Sequence, residues 1–481
     1  MKNNFCALLA RLLILLLATA TLSLPAAAQT QRPTLLRDAE IEQLLRLYSR
    51  DVFKAAGLTP EAVRIFIVQN PGFNAFVTNG QRLYVCTGLL QQAATPNEVI
   101  GVLAHETAHI AAGDVARQSK PSQRSREVSS TARKLLGVAT IVGATAAEQD
   151  LDTAMEKNIG IAANVRDPNT AYDQATVAGW EMVLGINGPG QAGAPAYTRV
   201  QEAAADQAAA RYLDRAGISG RGMLDVFERL SASSTGTSSS DPPYLQSHPM
   251  PRERLQNLEG FVTKSPNYAK TDPQSLVLRH QLMQAKLVGL LSSPQVVYQK
   301  YPASDVSVPA RYARAVAAVR ARDANTALMQ LNWLIEDNPK NPYFWELKGE
   351  ALLAAGKPQE AAAALKQALS LAPKAGLIGI RLAEAQLAAG TPAAARQALS
   401  TLQAAQRTEP DVSKLYALQA AAYAKLGNVP MAELATAEAA FRDGDRTLAV
   451  QKARSAVRGL KPGSPEWLKA QDIASVASRR E

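Results

Sequence analysis

The stretch Val102-Leu-Ala-His105-Glu106-Thr-Ala-His109-Ile-Ala sets the pattern His-Glu-x-x-His inside an apolar, helix-forming run, and it constrains the chain more than any other feature. Residues four apart share one face of a helix, one turn above each other, so the two imidazoles can bind one metal ion. Glu106 sits beside that face, where a carboxylate can take a proton from metal-bound water. The helix is framed as well. Thr95-Pro96-Asn97-Glu98 reads as a capping box with Pro at the first helical position, and Gly113 is a natural stop. Two histidines do not complete a metal site, so the chain has to fold back on this helix with a third ligand.

Tyr197-Thr-Arg-Val-Gln-Glu202-Ala-Ala-Ala-Asp206 offers that ligand. Glu202 and Asp206 share a helix face, so Glu202 can be an oxygen ligand while Asp206 accepts a hydrogen bond from a ligand imidazole. Two acids at this spacing are also common on helix surfaces. The run Ser247-His248-Pro249-Met250-Pro251-Arg252-Glu253-Arg254 holds a third histidine in extended backbone before a proline. His248 can reach the site as an oxyanion stabiliser or an extra ligand, with Arg254 orienting it or binding substrate. A turn histidine of no consequence is the even alternative.

Upstream, Asp38 to Leu58 has helical spacing, with Ile41, Leu44, Leu45, Leu47 and Tyr48 as its apolar stripe. Residues 64–69 read as a strand. Asn74 to Thr78, the turn Asn79-Gly80, and Gln81 to Cys86 read as a hairpin. A strand just before a metal-binding helix can hold an extended peptide by edge pairing, which makes Asn74, Ala75 and Phe76 candidate substrate contacts. A plain core hairpin is equally compatible with the pattern.

These motifs together resemble the zinc metallopeptidase family that includes HtpX and the type I CAAX prenyl endopeptidases. The architecture is similar to its BepA-type periplasmic members, which carry tetratricopeptide repeats behind the catalytic domain. The resemblance implies an α+β zincin-like metallopeptidase domain, mostly helical with a small β-sheet. It implies one Zn2+ per chain on His105, His109 and Glu202, with Glu106 as general base. The family's usual Gly before the second histidine is Ala108 here. It also implies a role in outer-membrane protein quality control.

The last third is a different kind of sequence. Leu353-Ala-Ala-Gly356-Lys-Pro358 recurs 34 residues later as Leu387-Ala-Ala-Gly390-Thr-Pro392, with a looser copy at Ala424 to Pro430. A 34-residue period of paired helices is the tetratricopeptide signature, so an all-α solenoid follows the catalytic domain. The division expected is a signal peptide over 1–28, a metallopeptidase domain over 29–265, a helical connector over 266–305 and repeats over 306–481.

The first 28 residues carry Lys2 and Arg11, the apolar run Leu12 to Leu17, and Ala26-Ala27-Ala28 before Gln29. That is a secretory leader cleaved after Ala28, and it implies an exported, periplasmic protein. Only Cys86 of the two cysteines remains after cleavage, so no intramolecular disulfide can form. Net charge is +10, with a basic cluster over Arg117 to Lys134 that reads as a solvated loop or as a contact for a membrane surface or acidic partner. The apolar segment 135–147 is too short to span a bilayer, and 185–196 is a Gly- and Pro-rich loop. Export, few aromatics and no recognition motif exclude nucleic acid as a partner.

The function expected is zinc-dependent endopeptidase cleavage of unfolded or misassembled proteins, with a protein partner recruited by the repeats. The alternative is a chaperone or assembly adaptor in which the repeats act and the zinc site is idle, or regulated by His248 filling the open metal position.

Overall fold

The computed structural model describes residues 34–114, 197–233, 243–249 and 252–475. The leader, the basic cluster at 117–134, the apolar segment 135–147 and the loop 185–196 lie outside the described residues. No described helix is long and apolar enough to cross a membrane.

The N-terminal half is built on a small sheet of strands β1 (Leu35–Leu36), β2 (Arg64–Val68), β3 (Ala75–Thr78) and β4 (Arg82–Cys86), in the order β1-β2-β4-β3. Strands β3 and β4 form the expected antiparallel hairpin, with Ala75 opposite Val85 and Thr78 opposite Arg82. Positive φ falls on Gly80 (80°) and Gln81 (56°), so the connection is a three-residue loop and not a two-residue Asn-Gly turn. Strand β2 lies parallel to β4, Arg64 opposite Arg82. Residue alternation then sorts the side chains. Ala75, Val77, Leu83 and Val85 enter the main core, while Phe76, Tyr84 and Cys86 form a separate cluster on the other face. Phe66, Tyr84 and Phe76 stack there with ring centroids 5.0 Å apart.

Helix α1 (Ala39–Ala55) starts where the Asp38 side chain accepts from the Ile41 amide, and it buries Ile41, Leu44, Leu45, Tyr48 and Val52. Leu47 does not belong to that stripe. It is 36% exposed, because at 3.6 residues per turn it falls about 120° from the centre of the buried face. Strand β4 runs straight into α2 (Thr87–Gln92), and α3 (Pro96–Ala112) follows. Thr95 caps α3 by accepting from the Glu98 amide at 3.2 Å, and Gly113 ends it in the left-handed region at φ 68°. The Glu98 carboxylate reaches the Ala94 amide and not that of Thr95, and it pairs with Arg229.

Four further helices close around α3: α4 (Arg199–Arg215), α5 (Arg221–Ser233), the short α6 (Pro243–Ser247) and α7 (Arg252–Val262). Helices α3 and α5 touch through glycine. A Cβ on Gly101 would lie 2.6 Å from the Met223 Cα, and one on Gly222 would lie 2.4 Å from the Asn97 carbonyl carbon.

Helices α8 (Gln274–Leu291) and α9 (Pro294–Lys300) lead to five helix pairs. These are α10 (Val308–Arg320) with α11 (Ala324–Asp337), α12 (Pro342–Ala354) with α13 (Pro358–Leu371), and α14 (Gly376–Ala388) with α15 (Pro392–Gln406). Then come α16 (Ser413–Lys425) with α17 (Val429–Arg442), and α18 (Arg446–Gly459) with α19 (Pro465–Ser475). Gly356, Gly390, Gly427 and Gly444 take φ between 72° and 80° at the turns within pairs or between them, which is what the repeated Gly signalled.

The halves share buried structure. Helix α8 places Met283 and Leu287 in the N-terminal core and Leu282 in the first cluster of the helix pairs. The start of α1 enters the repeats, where Ala39 packs with Tyr343 and Leu352. Around it, Lys286 Nζ lies 2.7 Å from Asp38 Oδ2 and 3.2 Å from Glu40 Oε2, and the Tyr312 hydroxyl donates to Glu40 at 2.6 Å. Further along, Arg37 pairs with Glu409 at 2.6 Å, and Arg64 pairs with Asp411.

Candidate metal centre

Helix α3 is apolar on nearly every side, so its polar residues are buried with it. His105, Glu106 and His109 are all 0% exposed. Burying three ionisable groups is costly unless they are paired or bind a metal. Helix α4 lies against α3 and presents Glu202 and Asp206, 1% and 3% exposed. Its start is fixed by a capping box in which Thr198 and Gln201 satisfy each other. His248 comes in after α6, and Arg254 from α7.

The donor atoms converge. His105 Nε2 is 3.1 Å from His109 Nε2 and 3.3 Å from His248 Nδ1. Glu202 lies 3.4 Å from His105, 3.3 Å from His109 and 2.9 Å from His248. One ligand atom from each of these four residues lies within 4.8 Å of the others. Nitrogen and carboxylate donors at this separation suit a single zinc-sized ion. The far ring nitrogens face carboxylates. His105 Nδ1 is 3.0 Å from Asp206, and His109 Nδ1 is 2.9 Å from Asp114. Such partners fix the imidazole tautomer with Nε2 directed at the metal. Glu106 stays outside the cluster. Neither of its oxygens has a hydrogen-bond partner, and its nearest cation-forming neighbour is His248 Nε2 at 3.5 Å.

Arg254 is 5% exposed and holds the acids. Its Nη2 donates to Asp206 Oδ1 at 2.9 Å, its Nε reaches the other Asp206 oxygen, and its Nη1 contacts Glu202 and the Pro249 carbonyl. The electrostatics follow from burial set against these contacts. Burial opposes ionisation of Glu202 and Asp206, yet the histidines around Glu202 hold it well below the usual range, and Arg254 with His105 lowers Asp206. Glu106 has no such support, and burial pushes its carboxyl up to about 8. Burial likewise lowers the His248 imidazole to about 4.

Of the residues singled out from sequence, His105, Glu106, His109, Glu202, Asp206, His248 and Arg254 meet in one place. Asn74 is 1% exposed at the head of β3, and both polar atoms of its side chain lack partners. Ala75 points into the core under β3. Phe76 turns to the opposite face of the sheet, so its side chain is not brought to the site. Three residues went unnoticed in the sequence. Asp114 follows the helix-ending Gly113, a position where the chain turns back on the last turn. Tyr197 stacks on His109 at 3.8 Å and 9°, and Tyr244 stacks on His248 at 4.6 Å and 22°. An aromatic four residues before His248, and one just ahead of the α4 cap, were the available signals.

Residues 36–262 match the family described as Peptidase family M48, and residues 352–421 match a tetratricopeptide repeat. A beta-barrel assembly-enhancing protease of Yersinia pestis is 24% identical over 439 residues, covering 90% of this chain and 82% of that protein. The protein of the same name from Escherichia coli (strain K12) is 23% identical over 437 residues, covering 89% and 81%. The crystal structure of yeast Tom70 aligns with a TM-score of 0.29 at 10% identity over 82% of this chain and 85% of that one, which is too distant to inform the fold.

Proposed function

We propose that this chain, whose residues 36–262 match peptidase family M48 and whose residues 352–421 match a tetratricopeptide repeat, is a zinc-dependent endopeptidase of the cell envelope, acting in outer-membrane protein assembly and quality control. The observation that carries this reading is the convergence of His105, His109 and Glu202 beside the unpartnered carboxylate of Glu106. The name of the relatives supplies the biological setting. The leader expected at 1–28 supplies the periplasmic location, with cleavage after Ala28.

His105, His109 and Glu202 would hold the metal. A zinc ion there supplies a polarised carbonyl and an acidified water when bound. Asp206 and Asp114 keep the two imidazoles in the tautomer that turns Nε2 inward, and Arg254 braces Asp206 and Glu202. Glu106 takes the proton of the attacking water and passes it to the leaving amine, and its pKa near neutrality suits both steps. Among the described residues strand β3 ends the sheet order, so an extended substrate would pair with its outer edge, where the Asn74 side-chain amide has no hydrogen-bond partner. Unfolded or misassembled chains fit such an edge, because only an extended backbone can pair with it. The repeats recruit a protein partner.

His248 stands between Glu202 and Glu106, in the space a water and a carbonyl would need. We read this as a closed resting arrangement that opens when the His248 side chain rotates away, after which the same imidazole can serve the oxyanion. The test measures zinc content of the mature protein beside His105→Ala and Glu202→Ala, and cleavage of an unfolded protein by wild type and Glu106→Gln. The reading expects about one zinc per chain, lost in both ligand variants, and cleavage abolished by Glu106→Gln. Zinc-free protein that takes up none, or equal cleavage by wild type and Glu106→Gln, would overturn it.

A further inference from the structure

One buried polar group of the site has no task in this scheme. Tyr244 is 0% exposed, and its hydroxyl has no hydrogen-bond partner. Leaving a buried hydroxyl unsatisfied is costly, and native structures keep few such groups. The ring that carries it packs against two histidines of the candidate metal centre. The Tyr244 ring stacks on His248, crosses His105 at a centroid distance of 6.4 Å, and is flanked by Phe227 at 6.0 Å and Phe73 at 6.3 Å. These rings hold the side chain in place from several directions.

Other atoms of the site are orphaned as well. Glu106 Oε1 and Oε2, His248 Nε2 and the Tyr244 hydroxyl are all buried and unpartnered. Glu106 and Glu202 are the two charges that act most strongly on the phenol. Among the described residues nothing satisfies these acceptors and donors, which leaves them open to a group that enters from outside. Glu106 can only accept once ionised, so it serves the attacking water. The incoming carbonyl oxygen needs donors instead, and the rotated His248 imidazole can supply only one of them. When the His248 ring rotates aside, the Tyr244 face it covered borders the vacated space.

Building on the peptidase reading above, we propose that Tyr244 is a catalytic residue whose hydroxyl donates a hydrogen bond to the scissile carbonyl oxygen as it becomes the oxyanion of the tetrahedral adduct. The phenol proton stays on Tyr244 throughout, and no covalent bond to the ring forms. An ordinary phenol, with a pKa of about 10, is protonated at working pH, so the donor is present. The bond strengthens as charge builds on the oxygen, which lowers the barrier more than it tightens the ground state.

The test uses the mature, zinc-loaded protein and Tyr244→Phe, which keeps the ring and its stacking. Three quantities are read: zinc per chain, kcat and KM on a peptide cleaved by wild type, and the calorimetric affinity of a phosphinic peptide, a tetrahedral oxyanion mimic. The expected result is unchanged zinc and KM, kcat lower by about 10- to 100-fold, and a comparable loss of phosphinic affinity. Values of kcat and phosphinic affinity both within about twofold of wild type would overturn the proposal and leave Tyr244 a packing residue. A wild type no more active than Glu106→Gln would instead refute the peptidase reading itself, and the Tyr244 proposal would fall with it.

Discussion

Replacing Lys286 with methionine would test how the two halves are joined. Lys286 is 6% exposed and lies between Asp38 and Glu40 at 2.7 and 3.2 Å, with the buried Glu346 nearby. Methionine keeps the length of the apolar stem, so the change removes charge with little loss of packing. Removing one member of a buried ion pair costs about 3–5 kcal/mol. The stranded acids can escape by binding a proton, which costs about 1.4 kcal/mol per unit between pKa and pH. Burial already raises the Glu40 pKa against the pull of Lys286 and pushes the Glu346 carboxyl up to about 8, so the acids around Lys286 are the groups that take up the proton. The sign follows. Without Lys286 the folded chain binds a proton that the unfolded chain does not, so the variant gains stability as pH falls. Lys286 in wild type has its pKa raised well above the usual lysine value, so its own contribution is constant from pH 5 to 8. The expected cost is about 3–4 kcal/mol at pH 7.5, shrinking to about 1 kcal/mol at pH 5. Urea unfolding followed by circular dichroism and by the fluorescence of Trp333, Trp345 and Trp467 measures it. A cost under about 1 kcal/mol at pH 7.5, or one that grows toward pH 5, would refute the reasoning.

Other substitutions probe single links. Gly101→Ala sets a methyl group 2.6 Å from the Met223 backbone, which cannot rotate away. It should cost at least the about 1–3 kcal/mol typical of overpacking, read as a thermal melt several degrees lower with loss of zinc. Glu106 has its folded pKa raised from 4.5 to about 8, so in chelator-treated protein its contribution to stability declines as pH rises through that window. Glu106→Gln should flatten that part of the curve of melting temperature against pH, and an unchanged slope would exclude the assignment. Arg37→Ala breaks the exposed pair with Glu409. It should cost under about 1 kcal/mol, less still in high salt, so a large urea-midpoint shift would show that the contact does more than its geometry implies.

The parts of the fold legible in the sequence were those written locally. Thr95 and Gly113 delimit α3 because caps act within one turn, and the repeated Gly356 and Gly390 mark turns for the same reason. The hairpin was visible through Asn79-Gly80. The parallel pairing of β2 with β4 was not, because register between distant segments depends on what they bury together. Asp114 was missed because its partnership with His109 depends on the chain reversing at Gly113, which spacing along α3 does not reveal. Phe76 was grouped with Asn74 and Ala75 as adjacent candidates, although a strand's two-residue period already sends it to the other face. Asp38 was counted only as a helix start. Its second partner, Lys286, lies some 250 residues away in the chain, where the sequence indicated only a connector.

That long-range pairing makes the peptidase half depend on the repeats beyond a simple tether. Helix α1 is clamped at its first turn by Lys286 and Tyr312, while further along it buries Leu44, Tyr48 and Val52 in the core that holds Val99 and Leu103 of α3. The Tyr48 hydroxyl lies 3.0 Å from His280 Nδ1, and His280 Nε2 lies 3.1 Å from the Ala93 carbonyl, just ahead of the α3 cap. A densely packed interior moves as connected rigid pieces, so shifting the repeats shifts α1 and α8 and, through them, the helix carrying His105 and His109. Truncation after residue 305 should therefore not yield an intact peptidase. It removes Tyr312 and Tyr343 from around Ala39 and Glu40. It also strips α8 of the Ala313, Val316 and Ala317 contacts that cover Leu282, Ala285 and Val288. The shortened chain should bind zinc more weakly than the full protein, expose apolar surface to a hydrophobic dye and melt at lower temperature. If it held about one zinc per chain with the melting temperature of the intact peptidase half, the halves would be mechanically independent and the coupling argued from α1 would be wrong.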